Sequence, residues 1–203
     1  MNTKDQFVIT ISREVGSGGH TIGKIIAQKL RVPYYDKSLV RTLTNKFDMS
    51  VYELEKIKGQ KKNWLSEFLS NVAPLPAEMR NKSTDQAIFK AEEEFIEALA
   101  AEGSCVIAGR SGFHILKDHP NALHVFITAS EEYRIKRVMA KQNLAEEGAR
   151  ALIKDIDGKR DNYIKRFAGV DRNDADNYHL CIKADGLSEE KIADFIISYI
   201  EQL

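Results

Sequence analysis

The fold is decided by residues 7–30, FVITISREVGSGGHTIGKIIAQKL. Its first six residues form a β-branched run that suits a buried strand. A glycine cluster follows, Gly16-Ser17-Gly18-Gly19, and then Ile22, Ile25, Ile26 and Leu30 recur at helical spacing, an apolar face turned toward a sheet. Strand, glycine loop and helix in this order predict an anion site. Glycines let the backbone fold tightly around a phosphate, and a helix N-terminus presents free N–H groups and the positive end of its dipole.

A Walker loop, GxxxxGK[ST], sets a lysine near the terminal phosphates and a hydroxyl on magnesium. Aligned on the end of the strand, Arg13 takes the first glycine position, Gly18 the second, Gly19 the lysine position and His20 the hydroxyl position. Thr21 follows as a shifted hydroxyl. A second register, Gly18 to Lys24, also fits formally, but it places Ile25 at the hydroxyl and draws helical positions into the loop; the first is preferred. In that register the cradle survives, and the lysine charge is missing or comes from Arg13, Lys24 or an arginine elsewhere. The phosphate-binding candidates are thus Arg13, Gly16, Ser17, Gly18, Gly19, His20, Thr21 and Lys24. Thr21 or Ser17 is the candidate for magnesium.

Working outward, short apolar runs at Val32–Tyr35 (ending at Asp36), Ser104–Ala108, Ala122–Ile127 and His179–Lys183 predict further strands. Helical periodicity covers 84–102 and a polar region, 130–167; Ser188 caps a last helix with an acidic first turn. Alternating strands and helices predict an α/β fold, a parallel sheet covered on both faces. Residues 37–83, lysine-rich with sparser apolar positions, read as a helical insert anchored by Trp64, not as an independent domain.

The bulk numbers set limits. The 203 residues suit one α/β domain, and 43% hydrophobic with 30% charged is ordinary for a soluble globular protein. Thirty basic residues balance thirty acidic ones, so no global charge points to nucleic acid or a membrane surface. No apolar stretch approaches the ~18 residues of a membrane span, and the N-terminus lacks a signal-peptide core. The expectation is a cytoplasmic protein with small-molecule partners. Cys105 and Cys181 are expected to be buried, reduced thiols. His114, His119, His124 and His179 are expected at the surface or at sheet edges.

ISREVGSGGHTIGKIIAQKLRVPYYDKSLV resembles the cytidylate kinase-like family, and the likeness continues in GSCVIAGRSGFHIL, NALHVFITASEEYRIKRV, DIDGKRDNYIKRFAG and NYHLCIKADGLSEE. It spans almost the whole chain and is weakest over 42–83. The resemblance implies a three-layer P-loop kinase fold: a five-stranded parallel sheet flanked by helices, an acceptor-binding insert (37–83) and an arginine-bearing lid (131–167). The core would then be 1–36, 84–130 and 168–203. It implies transfer of the γ-phosphoryl of ATP, with Mg2+, to CMP or dCMP.

Arg110 follows the strand SCVIAG, at the edge where open α/β sheets bind ligands. It resembles the family's GR-motif arginine, which contacts the acceptor nucleotide. Arg134, Arg137, Arg160 and Arg166 resemble lid arginines that close over phosphates. Asp157 and Asp161 would orient them or contact the base. Asp36 would help hold magnesium-bound water or the acceptor, and Arg41 lies one residue from the family's acceptor-phosphate arginine. Two alternatives stand beside this reading: a kinase for another small molecule selected by 37–83, and a nucleotide-binding regulatory module with little turnover for want of the Walker lysine.

Overall fold

A computed structural model describes residues 1, 3–36, 82–109 and 111–202, the side chains of 82–88 and 90–92 excepted. Residues 37–81, with Arg41 and Trp64, and Arg110 therefore lie outside the described residues. The elements run β1 (Val8–Arg13), α1 (Gly19–Leu30), β2 (Tyr34–Asp36), α2 (Lys82–Glu102), β3 (Cys105–Ala108), α3 (Gly112–Ile115), β4 (Ala122–Thr128), α4 (Glu131–Gln142), α5 (Glu146–Phe167), a 3-10 turn (Ala175–Asn177), β5 (Leu180–Lys183) and α6 (Glu189–Ile200). The polar region 130–167 is thus two helices, separated at Asn143, whose left-handed φ of 53° ends α4.

The five strands pair in parallel in the order β2-β3-β1-β4-β5. Both faces of β1 are covered, which is why its run is continuously apolar: Val8, Ile9 and Ile11 have no exposed surface. Ile22 and Ile26, one turn apart on α1, are equally buried and pack with Ile192 and Ile196 of α6. Burying each such side chain contributes about 1.5–3 kcal/mol. Ser188 caps α6 as expected, its Oγ accepting from the Lys191 N–H at 3.3 Å.

Register sets the site. Ile11 pairs with Ala108, the last residue of β3, so β1 outruns β3 and Arg13 projects past its end. On the other side, Arg13 stays level with Ile127 of β4. The chain leaves β1 for β2 across the place that β3 fills, so the crevice opens at the C-terminal ends of β1 and β3, the topological switch point.

Two expectations are corrected. Cys105 is buried but Cys181 is exposed, because β5 is an edge strand whose residues alternate between partial cover and solvent. His124 is no surface histidine: it is 4% exposed in the middle of β4, its Nδ1 2.8 Å from the Thr10 hydroxyl across the strand pair. Burial, and His179 stacked beside it, push its pKa down to about 4. No helix among the described residues is long and apolar enough to cross a membrane.

Candidate active site

The glycine loop leaves β1 at Glu14 and enters α1 at Gly19, with Gly18 as N-cap. Thr21 and Ile22 lie inside the first turn, their N–H groups donating to the Gly18 carbonyl at 2.9 and 3.1 Å. Lys24 sits on the exposed side of α1, its Nζ 5.9 Å from the Tyr34 ring centroid. The loop thus occupies the first register, and Lys24 is outside it. No side chain caps α1, and among the described residues no acceptor takes the amides of Gly16, Gly18, Gly19 and His20. Uncapped amides at a helix N-terminus are what an anion requires.

A cleft of about 300 Å³ opens over these amides, lined by Gly16, Gly18, Gly19, His20 and Thr21, with Arg137, Lys141 and Arg160. Ser17 is turned away from it: 1% exposed, its hydroxyl donates to the Glu14 carbonyl at 2.9 Å. Thr21 lines the cleft, and its hydroxyl has no partner among the described residues. Of the two hydroxyls, that of Thr21 is the one open to the cleft, and that of Ser17 instead shapes the loop. His20 faces Asp36, with Nδ1 and Oδ2 3.2 Å apart, and Tyr34, whose hydroxyl is 3.0 Å from the same nitrogen. Burial, then the Lys24 charge, lowers its pKa below that of a free histidine. Asp36, the last residue of β2, is thus engaged by His20 and lines neither cleft.

A second cleft, of about 610 Å³, lies at the ends of β1 and β3. Ser12, Gly109, Ser111, Lys159, Tyr163 and Arg172 line it. Ser111 is buried in a left-handed conformation, and its hydroxyl has no partner among the described residues. Arg13, Ile156 and Arg160 line both clefts.

Beneath the loop lies an ion network. Asp157 accepts from the Val15 N–H at 3.1 and 3.2 Å, from Arg134 Nη2 at 2.5 Å and from Arg160 Nη1 at 3.0 Å. Arg134 also donates to Glu14 Oε1 at 2.7 Å and to the Val15 carbonyl at 2.8 Å. Glu14 further accepts from the Ala129 N–H at 3.2 Å and from the Thr128 hydroxyl. Arg160 and Arg172 each donate an Nη1 to the Arg13 carbonyl at 3.0 Å, and Arg172 pairs with Asp161 at 2.7 Å.

The arginines expected to close over phosphates therefore separate. Arg160 faces both clefts. Arg137 lines the first, paired with Glu189. Arg134 is buried under the loop with its donors committed to Glu14, Val15 and Asp157, and lines neither cleft; it positions the loop. Arg166 is exposed on the last turn of α5, its guanidinium 5.0 Å from the Phe167 ring centroid, outside both clefts. Asp157 is the partner of Arg134 and Arg160, and Asp161 that of Arg172. Arg172 was missed by sequence reasoning. It is 4% exposed and carries a wall of the second cleft. A lone cation inside the acidic loop Asp171–Asp174 was the available signal.

Known proteins resemble this chain over nearly its whole length. The cytidylate kinase of Sulfolobus acidocaldarius is 25% identical over 199 residues, covering 96% of this chain and 94% of its own. The S-adenosylmethionine-dependent nucleotide dehydratase of Lacinutrix mariniflava is 27% identical over 194 residues, 96% of this chain, but this chain spans only 36% of that protein. Among solved structures, an uncharacterized protein from Eubacterium ventriosum superposes with a TM-score of 0.72 at 26% identity, covering 98% of this chain and all of the other. A shikimate kinase from Bacteroides thetaiotaomicron, at 16% identity, shares the fold with a TM-score of 0.53 over 98% of this chain and 99% of its own. The pattern of the cytidylate kinase-like family matches residues 8–185, from the first strand to the turn before α6, and the chain belongs to that family.

Proposed function

We propose that this protein is an ATP-dependent kinase of nucleoside monophosphates, with CMP or dCMP as acceptor. The observation that carries the reading is the junction of the two clefts. One holds the free amides of the glycine loop, the other opens at the C-terminal ends of β1 and β3, and they meet at Arg13 and Arg160. Transfer between two phosphates asks for this: two anionic groups brought end to end, with cations around the migrating group.

In this reading the amides of Gly16, Gly18, Gly19 and His20 bind the donor phosphates, and Thr21 holds magnesium with them. Mg2+ bound there would neutralise phosphate charge. The acceptor phosphate enters the second cleft, where Arg160, Arg172, Lys159 and the Ser111 hydroxyl face it. Asp157 keeps the loop and Arg160 in fixed relation through α5, so that charge stabilisation needs no rearrangement at the moment of transfer. CMP as acceptor rests on the family and on the cytidylate kinases matched nearly end to end. The dehydratase shares only 36% of its length with this chain, so its activity is not carried over.

The test is a coupled assay of ADP release with ATP, Mg2+ and each nucleoside monophosphate in turn. Turnover with CMP or dCMP above the others is expected. Turnover with none of them would refute the proposal.

A further inference from the structure

The Walker lysine position is glycine here, and the structure shows what fills its space. A Cβ on Gly19 would lie 2.5 Å from Arg13 Cβ and 3.1 Å from its Cγ, so no side chain fits at Gly19 while Arg13 is present. The Arg13 side chain runs from there across the end of β3. Its Nη1 fills the space where a Gly109 Cβ would stand, and Gly109 has a φ of 80°. The residue at the loop's first glycine position has therefore become arginine, and both positions it presses on are glycine.

Charge singles out the same residue. Beneath the loop, Arg134, Arg160 and Arg172 are matched by Glu14, Asp157 and Asp161. Arg13 has no carboxylate within ion-pair distance of its guanidinium among the described residues, and the charge of Asp36 acts on it only from farther off. Burial, then the Arg160 charge, holds its pKa down to about 10, so it stays charged at neutral pH while poorly solvated. A desolvated cation without a counter-ion is costly to keep unless an anion completes it. Arg13 lines both clefts, at their junction.

We infer that Arg13 takes over the role of the missing Walker lysine, reaching the terminal phosphate from the strand side and not from the helix. The lysine has been exchanged for a cation six residues earlier in sequence, position one of the motif for position seven, and Gly19 and Gly109 are the room that exchange needs. The inference rests on the kinase reading above and identifies its terminal-phosphate cation.

The experiment compares ATP and ADP affinity by titration calorimetry with Mg2+, alongside turnover with CMP. The proteins are wild type, Arg13→Met and the reciprocal swap Arg13→Gly/Gly19→Lys. Methionine keeps the apolar stem and removes the charge; Arg13→Gln replaces it should Arg13→Met not fold. A lost charge-assisted hydrogen bond predicts that the preference for ATP over ADP falls about 10-fold or more in Arg13→Met, with turnover down about 100-fold. The swap restores both toward wild type. An unchanged ATP-over-ADP preference in Arg13→Met, or a folded swap no better than Arg13→Met, overturns the inference. Wild type that binds neither nucleotide overturns the kinase reading itself, and the inference with it.

Discussion

Replacing Gly16 by alanine strikes the loop where it touches α4. Gly16 has a φ of 85°, a conformation that costs a residue with a Cβ about 1–2 kcal/mol. The added Cβ would also lie 2.7 Å from the Arg134 carbonyl oxygen and 2.9 Å from its Cα. These are backbone atoms in the first turn of α4, and the Arg134 side chain is held by Glu14 and Asp157, so they yield little. Overpacking of this kind costs about 1–3 kcal/mol, for a total of about 2–5 kcal/mol. Gly18 is the control. Its φ of 89° carries the same conformational cost, but its Cβ would meet only side-chain atoms, at 3.5 Å or beyond. Gly18→Ala should therefore cost about 1–2 kcal/mol. Urea unfolding of the three proteins, followed by far-UV circular dichroism, measures the difference. Gly16→Ala no less stable than Gly18→Ala would refute the claim that α4 is seated directly on the loop.

Two further outcomes follow from buried groups. Asp157→Asn leaves Arg134 and Arg160 without their shared carboxylate, and should lower unfolding free energy by about 3–5 kcal/mol in the same urea experiment; a change under 1 kcal/mol would contradict its place as the tie between loop and α5. His124 is neutral in the folded protein, its pKa pushed down to about 4, first by burial and then by the neighbouring His179. A lowered histidine pKa gives stability that is fully present above the unfolded value of ~6.5 and is lost as pH falls toward 4. That loss amounts to about 3 kcal/mol across the window. His124→Gln should flatten the acid limb of stability between pH 6.5 and 4, and an unaltered limb would show that another group controls it.

The sheet and the loop were legible because their signals are local. The β-branched 7–12 run, the glycines and the Ile22–Ile26 spacing each act within a few residues, and the observed β1, loop and α1 follow them closely. What failed depends on partners distant in sequence. Arg134 reads as a cation on a polar helix, and only the return of α5 with Asp157 puts it inside. His124 is held through Nδ1 by the Thr10 hydroxyl, a pairing that exists only through the β1–β4 register. Cys181 lies in an apolar run, yet the edge position of β5 leaves alternate residues in solvent. Arg13 is the intermediate case. Its place in the motif was readable, whereas its contact with Gly109 needed the register that carries β1 beyond β3.

In the proposed reaction, phosphoryl passes from ATP to a nucleoside monophosphate across the junction of the two clefts. Incubation of the protein with γ-labelled ATP, Mg2+ and CMP, followed by separation of the nucleotides, tests it most directly. Label appearing in CDP at the rate of ADP formation is the expected result. Label found only in free phosphate, or left in ATP, would contradict it.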